Sequence, residues 1–382
     1  MKRLLLVPPA VALLVAGLRA DVVVMRDGTR IEGVKITAET CRKVEFKVSG
    51  VATPQARPAA DVRDVEYAST SPDFRAGLAA WQQEADLAAA AAWFDSAAGD
   101  GKLPAFVRAT ARRYGADCWL AGGDATDAAR AYADLIATWP ESRHLAAALR
   151  GRGEALLQSG RHAEARAAFE ALKTEVAAKS LGESWAIEAD YEILLAAVLG
   201  DLPGADGRPV DAVAGFEALR RRAEGRDAEL VAKCSVQLGR LHLAGGRIDL
   251  ALPLFETIIA GRLDIADQEV LACAFNGRGR CRFAQGQAAQ DAALGRKGDK
   301  AGSDALLAEA IELFRQARLD FLRVFTVYSA VQGQQPEALY FAAQCFLRVG
   351  DAQAEARSKA LLSLCSRNYP GSAWGVEARK NL

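Results

Sequence analysis

The chain is poor in the residues that most often perform chemistry. Its 382 residues include only three histidines, and no two of them have the spacing of metal ligands on one helix. The sequence contains no Cys-x-x-Cys pair, no G-x-G-x-x-G or Gly-Lys-Ser/Thr phosphate loop, and no G-x-S-x-G nucleophile turn. These absences argue against common zinc sites, nucleotide-binding loops and serine hydrolases. We therefore expect no catalytic residue, no cofactor and no metal ion.

A net charge is also missing, because 48 basic residues balance 48 acidic ones. Nucleic-acid-binding proteins normally carry a basic excess on one face, so we expect no nucleic-acid partner. Prolines number only 12 and are rare in the predicted helical stretches, whereas alanine is abundant after residue 75. Alanine loses least on entering a helix, so this composition predicts a mainly α protein.

The first 20 residues have the pattern of a secretory signal peptide. Two basic residues precede an apolar run over residues 4–18, which is short for a membrane span of about 20 residues. Cleavage after Ala20, cleavage after Gly17 and retention as an N-terminal anchor all remain open. No cysteine follows the run, so lipid attachment is not expected. We expect an exported protein of the periplasm or cell envelope, with membrane contact only through a retained signal segment.

Residues 21–67 differ from the rest of the chain and predict four or five short β-strands. Apolar residues alternate in this segment, Asp27-Gly28 suits a tight hairpin turn, and a proline-containing loop is expected over residues 53–58. The stretch "RDGTRIEG" resembles the opening hairpin of Sm-like and SH3-like small β-barrels. Such a module could cover the end of the helical part or bind a partner along an open strand edge.

A five-position pattern recurs along the remaining chain. A small residue is followed by glycine after seven residues, alanine after twelve, an aromatic after sixteen and an aliphatic after nineteen. The three regular copies are Gly153, Gly160, Ala165, Phe169 and Leu172; Gly239, Gly246, Ala251, Phe255 and Ile258; and Ala116, Gly123, Ala128, Tyr132 and Leu135. This spacing predicts two antiparallel helices per unit, which cross at the small residue and are separated by a glycine-capped turn.

About seven such units are expected over residues 72–382. The first covers residues 72–98, and five others begin near Ala109, Ala146, Ala232, Ala272 and Pro336. Two inserts, 200–209 and 287–305, are rich in Gly and Asp and are predicted to be exposed loops.

The chain has seven cysteines, an odd number for an exported protein. Cys273 and Cys281 are eight residues apart on one predicted helix, about 12 Å by helical rise, which is too far for a disulfide. Cys118, Cys281 and Cys345 each come two residues after the small residue of their unit. This shared position predicts buried packing residues.

The spacing of small, Gly, Ala, aromatic and late Pro residues resembles the tetratricopeptide repeat. The resemblance implies an α-solenoid that binds proteins and does not catalyse a reaction, and it assigns His162 and His242 to packing positions. It also implies a concave groove lined by the first helix of each unit. The groove residues carried over by repeat position are Arg113, Arg150, Arg240, Asn276, Arg280, Tyr340, Gln344 and Arg348.

Five of these eight groove residues are arginines, which suits a protein or peptide partner with acidic character. The alternative is that these helix faces carry ordinary solvated charge. The endings "ATWPES" and "RNYPGS" are similar to those of envelope proteins that carry this repeat. Three functions follow: an exported scaffold or adaptor, an accessory factor of envelope biogenesis or cell division bound to peptidoglycan or a membrane complex, or an enzyme with its site in the β module.

Overall fold

The structure is a computed structural model that describes residues 20–83, 86–203, 211–261, 265–296 and 299–382. The predicted signal peptide therefore lies outside the described residues, except for Ala20. The described chain forms two compact units, the N-terminal unit (residues 20–203) and the C-terminal unit (residues 211–382). The sequence predicted one helical domain from residue 72 onward. In the structure, the β module belongs to the same compact unit as the first seven helices, and the domain boundary at residue 72 stays a prediction.

The β module is an antiparallel five-stranded sheet with strand order β4-β3-β2-β1-β5. The strands are β1 Asp21–Met25, β2 Arg30–Glu39, β3 Lys43–Val48, β4 Gln55–Pro58 and β5 Val62–Glu66. The predicted alternation of apolar residues is found in β3, where Val44 and Phe46 are fully buried. The predicted loop over residues 53–58 is wrong for its last four residues, which form β4. Pro58 is tolerated there because β4 is an edge strand and needs no donor on its outer side.

Helical hairpins make up the rest of the described chain, and the predicted fold class is confirmed. The N-terminal unit contains α1 Pro72–Gln83, α2 Leu87–Gly99, α3 Ala105–Gly122, α4 Ala125–Thr138, α5 Leu145–Gln158, α6 His162–Lys179 and α7 Glu183–Leu199. The C-terminal unit contains α8 Ala212–Ala223, α9 Ala228–Ala244, α10 Ile248–Ile259, α11 Gln268–Gly295, α12 Lys300–Val327, α13 Gln335–Val349, α14 Ala354–Asn368 and α15 Ala373–Lys380. Within each unit, consecutive helices pack against each other.

In two of the regular repeats, the small residue lies directly against the aromatic residue of the second helix. A Cβ built on Gly153 would lie 2.3 Å from the ring of Phe169, and one built on Gly239 would lie 2.5 Å from Phe255. The first glycine of the "GRG" sequence also makes a close contact. Gly151, two residues before Gly153, faces the ring of Tyr132 on α4 at 2.4 Å from an added Cβ. Two glycines on one helix thus admit one aromatic ring from each neighbouring second helix.

The glycine-capped turns are found where the pattern predicts them, with one exception. Gly123 ends α3 with a φ of 91°, and Gly350 ends α13 with a φ of 69°. Both lie in the left-handed region that glycine adopts at little cost. Gly286, the corresponding residue of the unit near Ala272, does not end a helix and lies inside α11.

The insert 287–305 is not the exposed loop that the sequence predicted. It lengthens α11 and α12 to 28 residues each, so that only residues 296–299 separate the two helices. The physical reason is that the insert is rich in alanine, and its added length preserves the helical register. An added Cβ on Gly286 would lie 2.9 Å from Phe314, and one on Gly279 would lie 2.8 Å from Phe321. The Gly–Phe contact therefore occurs twice in this hairpin, seven residues apart on both helices.

The other insert was also predicted to be an exposed loop, at residues 200–209. Its residues 204–209 lie outside the described part of the chain. Asp201, which is described and exposed, has a φ of 49°. The helix expected after the insert begins as predicted, since Asp211 caps α8 by accepting a hydrogen bond from the backbone N–H of Ala214 at 3.0 Å.

Candidate partner-binding site

A cavity of about 390 Å³ lies between α11 and α13 of the C-terminal unit. These are the first helices of two consecutive hairpins, which is where the sequence predicted a groove. Four of the eight predicted groove residues line the cavity: Arg280, Tyr340, Gln344 and Arg348. Six residues that the sequence did not single out complete it: Leu243, Phe283, Ala284, Gln287, Phe341 and Trp374.

Two polar contacts join α11 to α13 at either end of the cavity. Arg280 donates to Glu337 at 2.7 Å, and Arg348 donates to Gln290 at 3.0 Å. Ten residues of α11 separate the two contacts on that helix, which corresponds to about 15 Å of helical rise. The cavity lies between these two contacts.

Aromatic rings form one end of the cavity. Trp374, on α15, stacks on Tyr340 with ring centroids 5.2 Å apart, and its edge meets Phe341 at 4.9 Å. The guanidinium of Arg280 lies 4.4 Å from the ring centre of Phe341 and 5.4 Å from that of Trp374. Arg280 is therefore held by Glu337 and by two rings, and its charge is already compensated.

The other end of the cavity has an arginine in a different situation. The Arg348 guanidinium packs near Phe283 and Phe314, at 5.7 and 5.6 Å from their ring centres. Among the described residues its hydrogen-bond partner is Gln290, a neutral amide, and it forms no ion pair with a carboxylate. A guanidinium has five N–H donors, so most of those on Arg348 remain available.

Two amide side chains lie between these ends, Gln287 on α11 and Gln344 on α13. Neither has a hydrogen-bond partner within the described chain, and both are half-buried. An amide group donates and accepts, so the pair can satisfy the backbone N–H and C=O groups of an extended segment. No acidic side chain from the described part of the chain lines the cavity. The lining is therefore cationic, amide-bearing and aromatic.

Arg240 and Asn276, two further predicted groove residues, lie in the same unit but do not line this cavity. Asn276 is 1% exposed and donates to the backbone carbonyl of Gln334 at 3.0 Å. Arg240 donates to the Cys273 sulfur at 3.3 Å and to the Gln334 side chain at 3.4 Å. Both side chains are engaged with the segment that leads into α13, and they connect neighbouring hairpins.

The remaining two predicted residues, Arg113 and Arg150, belong to the N-terminal unit. Arg113 forms an ion pair with Asp117 at 2.9 Å, and Arg150 forms one with Glu154 at 3.5 Å and another with Glu188 at 3.7 Å. Burial raises the pKa of Asp117, an effect that the neighbouring Arg113 opposes. Each of these arginines thus has carboxylate partners within its own unit, in contrast to Arg348.

The β module covers part of the inner face of the N-terminal unit. The Tyr67 hydroxyl bonds with Thr110 of α3 at 2.9 Å, and Thr110 bonds with His144 at 2.9 Å. Glu39 and Arg143 form an ion pair whose side chains are only 2% and 7% exposed. The module therefore shares a buried polar network with the helices. This arrangement supports the covering role over the free binding module.

The cysteines lie mostly in the packed interior of the two units. All seven cysteines are free, and six of them are buried. Burial raises the pKa of Cys118 and that of Cys281 to about 12 each. Within the described ranges, no cluster of His, Cys, Asp and Glu side chains is arranged to hold a metal ion. Over the same residues, no helix combines the length and apolar character that crossing a membrane requires.

Sequence reasoning missed the aromatic end of the cavity. Trp374 follows the "RNYPGS" ending and belongs to α15, an eight-residue helix whose start is capped by Ser372. Its signal was the serine cap placed just before a helix-forming stretch. Gln287 and Gln290 were missed because they fall in the insert that was assigned to a loop.

Comparisons with known proteins agree with the repeat assignment. The tetratricopeptide repeat family model matches residues 120–180. No curated protein matches the sequence. The solved structures that it resembles include NprR in complex with its cognate peptide NprX, with 12% identity, coverage of 82% of this chain and 89% of that chain, and a TM-score of 0.37. The apo quorum sensor NprR from B. thuringiensis has 10% identity, coverage of 76% and 86%, and a TM-score of 0.43.

A third similar structure is the Rap conjugation gene regulator of plasmid pLS20 in complex with the Phr* peptide. It has 14% identity, coverage of 78% of this chain and 74% of that chain, and a TM-score of 0.39. TM-scores below 0.5 are too low to transfer a ligand from these proteins to this chain. Residues 120–180 thus match the tetratricopeptide repeat, and helical hairpins lie on either side of them.

Proposed function

We propose that the protein is a non-enzymatic scaffold that binds a protein partner through the α11–α13 cavity. The observation that carries this proposal is the lining of the cavity, where four predicted groove residues meet Gln287 and an aromatic wall. Gln287 and Gln344 have no hydrogen-bond partner among the described residues, and Arg348 has no carboxylate partner among them. Binding pockets with a few convergent polar groups among apolar surfaces are typical ligand sites.

The charge of the cavity favours a partner with acidic character. Arg280 is compensated by Glu337, whereas Arg348 faces the cavity without a carboxylate from the described residues. A carboxylate of the partner would complete Arg348 with charge-assisted hydrogen bonds, which are about twice as strong as neutral ones. Exposed, solvated arginines elsewhere on the helices offer less, because bulk water screens them.

The proposed site of action is outside the cytoplasm. The support for this part is the sequence of residues 1–20, with two basic residues, an apolar run and small residues at the candidate cleavage points. N-terminal sequencing of the mature protein from a secretion-competent host tests it. The mature chain is expected to begin at Leu18 or at Asp21, whereas an intact Met1 in a soluble, non-exported protein would refute export.

Partner capture tests the binding function. The immobilised full-length protein is exposed to envelope extract, in parallel with an Arg348→Gln, Gln344→Ala double variant and with Arg315→Gln. Arg315 makes the matched control, because it lies on α12 of the same unit with its side chain 55% exposed and pairs with Glu312. The proposal expects proteins that the wild type and the control retain and the double variant loses. Identical capture by all three proteins would refute the cavity as the binding site.

A further inference from the structure

The cavity has a different chemical character at each end, and this restricts what it can hold. Trp374 and Tyr340 place two mutually stacked rings at one end, and Arg348 offers free guanidinium donors at the other. Gln287 and Gln344 lie between these groups. A ligand that fits all three features needs an aromatic ring, a hydrogen-bonding backbone and a carboxylate, in that order along the cavity.

The length of α13 sets the spacing between the ring and the carboxylate. Tyr340 and Arg348 are eight residues apart on this helix, which is about 12 Å of helical rise. An extended chain advances about 3.3 Å per residue, so four residues cover roughly 13 Å. Side chains four residues apart in an extended segment also point to the same side. Both requirements select a spacing of four between the aromatic and the acidic residue.

The end of the cavity at Arg348 allows the partner chain to continue. Helix α13 ends at Val349, one residue beyond Arg348, and Gly350 turns the chain away with a φ of 69°. Helix α11 continues to Gly295, past Gln290, and thus extends one wall beyond the ion-pairing position. A segment can therefore pass the guanidinium, and its side chain can supply the carboxylate.

The geometry points to an internal, extended partner segment with the pattern aromatic-x-x-x-acidic, whose ring packs against the Tyr340–Trp374 pair and whose side-chain carboxylate binds Arg348. This inference rests on the proposed function and specifies the partner's chemistry. The cavity recognises the side chains at the two ends of the segment. Gln287 and Gln344 hold the residues between them by hydrogen bonds to their backbone. Residues between the two anchors contribute little sequence preference.

The probe is a fluorescein-labelled peptide, Tyr-Ser-Gly-Ser-Glu with blocked ends, titrated with the full-length protein and followed by fluorescence anisotropy. Replacing its glutamate by glutamine is expected to weaken binding about tenfold, because a charge-assisted hydrogen bond is lost. A peptide with the tyrosine and glutamate adjacent is expected to bind as weakly. Equal affinities of these peptides would overturn the spacing and the charge requirement.

A double-mutant cycle assigns the carboxylate to Arg348. The Arg348→Gln variant should bind the original peptide about tenfold more weakly and should no longer distinguish glutamate from glutamine. Arg348→Lys keeps the charge and should retain part of the discrimination, while Arg315→Gln should behave as wild type. Circular dichroism confirms that each variant is folded. Additive losses in the cycle would show that the carboxylate binds elsewhere and would overturn the assignment.

Two further outcomes separate this inference from the proposed function. A further peptide has the same length, lacks the glutamate and ends in a free C-terminal carboxylate. If this peptide alone binds, the cavity holds a chain end and not an internal segment. Cavity-dependent capture from extract without any preference among the peptides would leave the scaffold function standing and overturn the two-anchor pattern. If capture does not depend on the cavity and the protein shows no preference among the peptides, both proposals are refuted.

Discussion

Replacing Gly153 by alanine is expected to destabilise the N-terminal unit, although alanine is the better helix former. A Cβ at this position would lie 2.3 Å from Cε1 and 2.5 Å from Cζ of Phe169. The Phe169 side chain is fully buried, so its ring has little room to move away. On the same helix, Gly151 meets Tyr132, which restricts a compensating shift of α5 away from α6.

The magnitude follows from two opposing contributions. Overpacking a tight core costs about 1–3 kcal/mol, and a contact this short places Gly153→Ala at the upper end. The better helix propensity of alanine returns about 1 kcal/mol. The net loss in the free energy of unfolding is therefore about 2 kcal/mol. For a unit of this size, such a loss lowers Tm by roughly 4–8 °C.

The assay is thermal unfolding of the full-length protein followed by far-ultraviolet circular dichroism. Gly99→Ala is the matched control, because Gly99 lies at the end of α2 in the same unit and an added Cβ meets no atom within 4 Å. The control is expected to keep or slightly raise Tm. A Gly153→Ala variant as stable as the control would refute the account of the helix crossing. Adding Phe169→Leu to Gly153→Ala should cost less than Phe169→Leu costs alone.

Three further predictions concern the N-terminal unit. Arg143→Met leaves Glu39 as an unpaired buried carboxylate, so it should destabilise the unit by about 3–5 kcal/mol and speed hydrogen exchange in the β module; unchanged exchange would contradict the buried network. Burial, and then the charge of Arg143, hold the pKa of His144 well below 6.5. The unfolded chain therefore binds a proton near pH 6.5 that the folded chain does not, so stability should fall as pH drops from 7 to 5, and His144→Gln should flatten this dependence in pH-dependent melting curves. Cys41 is half-buried, whereas the other six cysteines are buried, so a maleimide should label the native protein at Cys41 first. The Cys41→Ser variant should lack the fast labelling phase.

The helical hairpins could be predicted because their main contacts are local in sequence. Gly153 and Phe169 are 16 residues apart, and the turn between them is closed by Gly160 with a φ of 72°. A single spacing thus encodes the crossing, the turn and the aromatic filling of one hairpin. The same reasoning located Cys118 and Cys345 as packing residues, and both are fully buried.

The attachment of the β module could not be predicted, because its partners are distant in sequence. Glu39 and Arg143 are 104 residues apart, and Tyr67 and Thr110 are 43 apart. Taken separately, Glu39 looks like an ordinary acidic residue of a strand, Arg143 like an arginine in a connection, and Thr110 like a hydroxyl residue on a helix. Only the packing of the sheet on α3 and on the start of α5 gives them a shared role.

The candidate site could be predicted in part, and the missing part has one cause. The repeat positions located Arg280 and Arg348, but they could not show that Glu337 compensates the first and that no carboxylate among the described residues compensates the second. That difference decides which arginine is available to a ligand. It depends on which side chains of α11 and α13 meet, and a repeat pattern does not contain this information.

The insert that interrupts the repeat also builds the cavity. Its composition, with glycine and aspartate, indicated a loop, yet its first residues continue α11 and bring Gln287 to the cavity wall and Gln290 to the guanidinium of Arg348. A hairpin of ordinary length would have ended near Gly286, and Arg348 would then lack its partner on α11. The Gly–Phe contact recurs seven residues further along both helices, so the longer hairpin keeps the packing between them. The departure from the repeat is therefore where the proposed binding cavity gains Gln287 and the partner of Arg348.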